Sequence, residues 1–365
     1  MIELKIGERK IVIRELDYII DLCRRTRGRI CIDVPVGWKD IGKHICRIVH
    51  KSGVDTSKII LEGRTCWGAC DITLSMLYRY DVILHIGHYL PPNIENVLRS
   101  NVDVCRVERS DNFIILNINV NNRDVKVFYC YIYYVPSHND IENLNNAVSS
   151  LKSVNISRIL CVPQYREYAN YILNLTGSSS IDYLTGCYVP HLKRNDNVLV
   201  VAEGRFHMLT PILYGHPIET TFFFDVSSMF LYDSSHICRI FKRLLLTKIR
   251  TLIQIREMRE PSFCILLSEK LGQRRERLVE ISSRLTEGFE RYVVEVDDIN
   301  VDVLFSYRNC IFINTTCPRV GFDDIDRFQS PIINPGEIDY AVGRRSLEEY
   351  SCTDVMKYFG AAAGI

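Results

Sequence analysis

Apolar residues along this chain cluster in short β-branched runs separated by longer stretches in which they recur at helical spacing. Arg29 to Val34 reads as a buried strand, Lys39 to Lys51 as a helix, Lys58 to Leu61 as a strand and Asp81 to Ile86 as another. Continuous apolar runs alternating with helices predict parallel sheets covered by crossover helices. A second stretch opens with the β-rich run Val125 to Val135. It continues through a helix near Ile141 to Lys152, a strand at Arg158 to Val162 and a later strand at Val198 to Ala202. A long charged helix over about Ile240 to Glu257 introduces the third and ends before Pro261. Strands at Ser262 to Leu267, Tyr292 to Val296 and Cys310 to Asn314 follow, with a helix at Arg275 to Leu285. The recurring order is compatible with three diverged copies of one α/β unit. The expected domains are residues 1–120, 121–235 and 236–345, followed by a tail at 346–365.

Composition narrows the class. The 365 residues suit two or three domains, and 47% hydrophobic content supports large buried sheets. With 45 basic against 44 acidic residues, the average field gives no reason to expect capture of nucleic acid or an anionic membrane. Met1-Ile2-Glu3-Leu4-Lys5 is not a basic leader before an apolar core, and no apolar run approaches spanning length. A cytoplasmic protein is expected. The 14 cysteines are scattered through strand-like runs such as Ile30-Cys31-Ile32 and Phe263-Cys264-Ile265, which fits buried free thiols better than a disulfide framework.

Cys70, Cys187 and Cys317 stand apart from the other eleven. Their neighbours Trp67-Gly68-Ala69, Thr185-Gly186 and Pro318-Arg319 belong to turns rather than strand interiors, and each lies beside an expected strand end. Functional groups of parallel sheets gather beyond the carboxyl ends of strands. Each cysteine is more than a hundred residues from the next, so a shared site would need separately folded units to converge. Three thiolates on a four-iron cluster leave one iron without a protein ligand, a vacancy that suits a small molecule's amino and carboxylate groups. Cys66 and Cys70 form C-x-x-x-C, half of the radical S-adenosylmethionine motif, but Thr73 stands where its third cysteine would be. Cys66 therefore reads as a neighbouring or spare thiol.

Six strings then act together: Trp67-Gly68-Ala69-Cys70-Asp71, Ile86-Gly87-His88, Gly186-Cys187, Gly204-Arg205-Phe206-His207, Leu271-Gly272-Gln273-Arg274 and Asn314-Thr315-Thr316-Cys317-Pro318-Arg319. In this order the chain resembles diphthamide synthase of the compact archaeal type, a noncanonical radical S-adenosylmethionine family. The resemblance implies three related α/β domains, each a small parallel sheet flanked by helices, around a central cluster cleft. Cys70, Cys187 and Cys317 would be the 4Fe-4S ligands. It further implies a homodimer that binds S-adenosylmethionine at the open iron and cleaves its γ-carbon to sulfur bond by one-electron reduction. The resulting 3-amino-3-carboxypropyl radical would pass to imidazole C2 of a histidine in translation elongation factor 2. An electron donor is implied as a further partner.

Among the other residues of these strings, Gly272 and Gln273 could present backbone N–H groups and an amide to the cofactor's carboxylate. Arg319 could pair with it as a bidentate donor, and His207 and His88 could line the cleft. Each also has an ordinary reading, as a tight turn, a surface contact or a structural hydrogen bond. No general base is assigned. Arg64-Thr65-Cys66-Trp67 departs from the family, whose members commonly carry an acidic residue and a tyrosine there. Two rival readings remain: a noncatalytic iron-sulfur or electron-delivery subunit, and a metal-free nucleotide-binding α/β enzyme, for which no phosphate-loop or Rossmann glycine signature is present.

Overall fold

The computed structural model describes residues 2–6 and 9–359. The chain forms two compact units. The first comprises residues 1–144, 162–172 and 270–272, and the second comprises 145–161, 173–269 and 273–365.

The first unit is built on a six-stranded sheet ordered Ile59–Leu61, Ile30–Asp33, Val82–Ile86, Arg123–Cys130, Phe113–Val120 and Asp103–Ser110. The first four strands are mutually parallel and the last three form an antiparallel meander. Every residue of Ile30–Asp33 and Val82–Ile86 is buried, as strands covered on both faces must be. Asp33 and His85 therefore enter the interior as a register-matched pair. The meander turns at Asn121 and Asn122, both at positive φ (51° and 62°), the backbone that a two-residue hairpin loop favours and asparagine tolerates. Its outer strand carries Arg106, Glu108 and Arg109, charges that discourage edge-to-edge pairing.

The β-rich run Val125 to Val135 belongs to two strands in two sheets. Arg123–Cys130 completes the parallel part of the six-stranded sheet, whereas Tyr133–Val135 pairs with Arg9–Ile13 in a three-stranded antiparallel sheet. The chain changes sheets at Tyr131 and Ile132, both buried apolar residues, so no polar signal marks the break.

The second unit holds two sheets. One is ordered Ser180–Tyr183, Arg158–Cys161, Val198–Ala202, Thr221–Asp225 and Phe230–Tyr232, parallel except for its last strand. The other, Arg291–Val296, Ser262–Ser268, Cys310–Asn314 and Ile332–Ile333, is wholly parallel. Helix Ser234–Glu257 is capped by Asp233, whose carboxylate accepts from the His236 N–H. It buries Ile237, Phe241, Leu244, Lys248, Leu252 and Ile255, one stripe at three- and four-residue spacing. Leu252 and Ile255 pack on Phe263, Ile265, Ile311 and Ile313 of the wholly parallel sheet. Each such aliphatic side chain, fully buried, contributes roughly 1.5–3 kcal/mol.

On the opposite face of that sheet, Cys264 and Cys310 are joined as a disulfide, so the expectation of free thiols fails for this pair. Parallel pairing sets Cys310 opposite Ser262, two residues from Cys264 on the same face, within bridging reach.

Candidate metal and cofactor sites

Each candidate ligand cysteine leaves a parallel strand's carboxyl end and enters a turn whose backbone is tied down separately. In the first unit, Asp71 organises the Cys70 turn. Its Oδ2 accepts from the Trp67 and Gly68 N–H groups at 2.5 and 3.2 Å. Its Oδ1 lies 3.4 Å from Lys270 Nζ, with both side chains buried. Burial pushes the Asp71 carboxyl above its ordinary value, opposed by Lys270 and the Trp67 N–H. Tyr129 donates its hydroxyl to the Ala69 carbonyl at 3.1 Å. Thr73 caps helix Leu74–Arg79 at the far end of the loop. Cys70 is half-buried and not disulfide-bonded, and beside it Trp67 is 65% exposed.

Gly272 closes this turn. A Cβ there would lie 2.5 Å from the Cys70 Cα, so only glycine permits the approach. The Gly272 N–H, for which the sequence suggests a carboxylate partner, donates to the Cys70 carbonyl at 3.2 Å. Gly272 thus positions the thiol-bearing backbone. Gln273 offers its carbonyl to Arg275 at 3.2 Å.

In the second unit, Cys187 occupies a turn closed by Thr185 and Tyr188, whose N–H groups donate to each other's carbonyls at 3.0 and 3.3 Å. Tyr214 donates its hydroxyl to the Cys187 carbonyl at 2.7 Å. Gly186 lies so close to Phe206 that a Cβ would sit 2.5 Å from the ring. His207, one residue on, directs Nδ1 to the Glu203 carbonyl at 2.7 Å. Burial lowers its pKa, so the neutral ring keeps that N–H and leaves Nε2 as an acceptor on the Gly186 side.

Cys317 follows an interior strand, and its carbonyl accepts from Asn314 Nδ2 at 2.7 Å and the Val320 N–H at 3.0 Å. Asn314 also bonds Asn334, whose amide reaches the Pro318 carbonyl at 3.2 Å. Behind them, Glu337 accepts from the Asn334 N–H, the Tyr350 hydroxyl and Lys248, each within 2.7 Å. Burial and then Cys187 push the Cys317 thiol up to about 11, opposed by Arg319 and Arg275.

Arg319, expected to meet a carboxylate, has Nε 3.3 Å from Asp323 and 3.5 Å from Asp324, and its guanidinium lies 5.8 Å from the Phe206 ring centroid. It remains half-exposed. Arg275, buried and donating to the Thr316 carbonyl at 2.5 Å, was not singled out from sequence. Its only signal was its position two residues after the Gly272-Gln273 turn.

His88, expected along a cofactor cleft, lies in the first unit with Cys66 and His85. Neither Cys66 nor His85 was assigned a role from sequence. His85 could have been found as a histidine inside an otherwise apolar strand, opposite an aspartate.

The donor set fits an iron-sulfur group in its chemistry. Cys70, Cys187 and Cys317 are not disulfide-bonded and only partly buried, and glycines crowd the first two turns, Gly68 and Gly272 at Cys70 and Gly186 at Cys187. Arg319 and Arg275 supply compensating charge for a thiolate at Cys317.

These features define an α/β protein of parallel sheets whose strand ends carry thiols in glycine-tight turns. Residues 34–351 match the family described as "Putative diphthamide synthesis protein", and the chain belongs to that family. It is 24% identical over 340 residues to a 2-(3-amino-3-carboxypropyl)histidine synthase of Methanocaldococcus jannaschii, covering 90% of this chain and 88% of that one. A protein of the same name from Pyrococcus horikoshii is 22% identical over 358 residues, covering 92% and 91%. The fold matches the crystal structure of Dph2 from Pyrococcus horikoshii with a 4Fe-4S cluster, at TM-score 0.68 and 17% identity over 97% of this chain and 95% of that one. The mixed α/β class expected from sequence is therefore correct, and the family makes the chain a diphthamide-synthesis protein. Among the described residues, no helix is long and apolar enough to cross a membrane.

Proposed function

We propose that the protein is a 2-(3-amino-3-carboxypropyl)histidine synthase, transferring that group from S-adenosylmethionine to C2 of a histidine imidazole in translation elongation factor 2. Its place is the first step of diphthamide biosynthesis, in the cytoplasm, as a homodimer supplied by an electron donor. The observation that carries this reading is the presence of three thiol-bearing turns in a chain whose relatives with this name align along nine-tenths of its length. A chain that had become a mere electron-delivery subunit would be free to lose one of them.

Cys70, Cys187 and Cys317 are the proposed cluster ligands. A bound and reduced 4Fe-4S group supplies the low-potential electron that breaks the γ-carbon to sulfur bond. The protein's part is to hold and orient. Asp71 and Gly272 fix the Cys70 backbone, Asn314 fixes Cys317, and the Tyr214 hydroxyl fixes the Cys187 carbonyl. Arg319, half-exposed, can exchange a side-chain carboxylate for that of the cofactor without a new desolvation cost. His207 Nε2, unprotonated at neutral pH, offers the turn region an acceptor. Regioselectivity then follows from how the sulfonium is oriented rather than from an added catalytic side chain.

The test is anaerobic reconstitution with iron and sulfide, then reduction with S-adenosylmethionine and the elongation factor. Mass spectrometry should find the histidine enlarged by the 3-amino-3-carboxypropyl group. A colourless protein, or a bound cluster with an unmodified histidine, overturns the reading. Single alanine replacements of Cys70, Cys187 or Cys317 should abolish the stable cluster, whereas Cys66→Ala should retain it. The opposite ranking would move the ligand assignment.

A further inference from the structure

Cys66 on the loop that also carries Cys70, His85 on strand Val82–Ile86 and His88 just beyond that strand bring three ligand atoms to one point inside the first unit. His85 Nε2 is 3.0 Å from His88 Nδ1, and Cys66 Sγ is 3.8 Å from His88 Nδ1 and 4.0 Å from His85 Nε2. A tetrahedral zinc centre with ordinary bond lengths separates two imidazole nitrogens by about 3.3 Å, and nitrogen from sulfur by about 3.6 Å. The observed triangle is within about half an ångström of that on every side.

The surroundings orient the donors. Asp33, paired with His85 across the parallel ladder, places its Oδ2 2.9 Å from His85 Nδ1. His85 Nδ1 makes no aligned hydrogen bond there, but the carboxylate's charge beside it favours the proton on Nδ1 and leaves Nε2 as the lone-pair donor on the triangle side, as carboxylates beside metal-binding imidazoles do. Cys66 is 2% exposed and His85 is fully buried. One proton shared between the two imidazoles gives a single N–H···N hydrogen bond, and the Cys66 sulfur, at 3.8 and 4.0 Å, adds only long, weak contacts to it. A cation satisfies all three donors at once.

We propose that Cys66, His85 and His88 hold one divalent cation of the zinc class, with Asp33 as the positioning residue. A nitrogen-nitrogen-sulfur set suits zinc, and three protein ligands leave a fourth coordination position open. Binding displaces the Cys66 thiol proton to solvent, with no change of oxidation state. The site shares no ligand with the proposed cluster.

Cobalt(II) reports such a centre. Anaerobic titration of the wild type, and of the protein with Cys70, Cys187 and Cys317 all changed to serine, should show one tight equivalent in both. That equivalent should carry a thiolate-to-cobalt charge-transfer band and intense tetrahedral visible bands. Cys66→Ser should lose the charge-transfer band, and Asp33→Asn should weaken binding about 10- to 100-fold. Retention of the band in Cys66→Ser, or absence of the tight equivalent, overturns the assignment. Should a variant fail to fold, X-ray absorption at the zinc edge of the wild type decides. Two nitrogens, one sulfur and one further light atom support the site; an all-sulfur or all-oxygen shell, or protein without zinc, refutes it. Brown protein without the cobalt bands removes only this site, whereas cobalt bands in a protein that never takes a cluster remove only the proposed function.

Discussion

The Cys70 and Cys317 turns are both backed by a buried lysine–carboxylate pair, but at different removes. At Cys70 the carboxylate belongs to the next residue, Asp71, and its partner Lys270 lies 3.4 Å away. At Cys317 the pair Lys248–Glu337, at 2.7 Å and without solvent exposure, acts through Asn334 and Asn314 before it reaches the thiol-bearing loop. Lys248 also donates to the Gly321 carbonyl at 2.7 Å. The first pair shapes a ligand loop directly. The second ties a long helix to the loops of a sheet, and the thiol inherits that order. A charge near a site and a charge under it should therefore fail differently.

Lys248→Met tests the deeper pair and carries the largest expected effect. Removing the ammonium strands Glu337 in the interior, a loss of about 3–5 kcal/mol, which denaturant unfolding would read. Adding Glu337→Leu should recover much of it, because an apolar pair avoids the desolvation cost of two charges. If the double variant is as unstable as the single one, the remaining donors to Glu337, from Asn334 and Tyr350, matter more than the ion pair.

Lys270→Met should cost less in stability and more at the site. Asp71 keeps its two backbone donors and is already pushed toward its neutral form by burial, so a loss of about 1–3 kcal/mol is expected. Iron bound per chain after reconstitution should fall further than in Lys248→Met, compared at a temperature where both are folded. Equal retention in the two would erase the distinction between near and remote support. Gly272→Ala addresses the same turn from the backbone side. Its methyl must displace the Cys70 main chain, at about 1–3 kcal/mol, with a matching loss of bound iron.

How much of this was legible depends on whether a feature is local in sequence. Helix Lys39–Lys51 and strands Val198–Ala202 and Cys310–Asn314 have the limits that periodicity and apolar runs predict, since their own residues determine them. The turn character of Cys70, Cys187 and Cys317 was also readable, because glycine and proline mark it locally. The break between Cys130 and Tyr133 was not, since two sheets compete for one apolar run and tertiary pairing decides. Lys248 looked like an ordinary charge on an amphipathic helix until Glu337, far along the chain, gave it a partner. The Cys264–Cys310 bond and the Cys66–His85–His88 cluster likewise depend on strand register and loop placement, which no short string encodes.

Cys187 supplies the third term of the comparison. Its carbonyl is held by the Tyr214 hydroxyl, a neutral group at a solvent-accessible position, rather than through a buried ion pair. Tyr214→Phe removes one neutral hydrogen bond, and water can take its place at the carbonyl, so the expected loss is only about 0.5–1.5 kcal/mol. Reconstituted iron content should stay near that of the wild type, while the cluster's loss rate under a chelator should rise, since the turn keeps its Thr185–Tyr188 closure but gains freedom at the ligand. A Tyr214→Phe protein that reconstitutes as poorly as Lys270→Met would show that a single neutral hydrogen bond orders a thiol turn as strongly as a buried carboxylate does. The ranking of the three turns by the charge behind them would then be wrong.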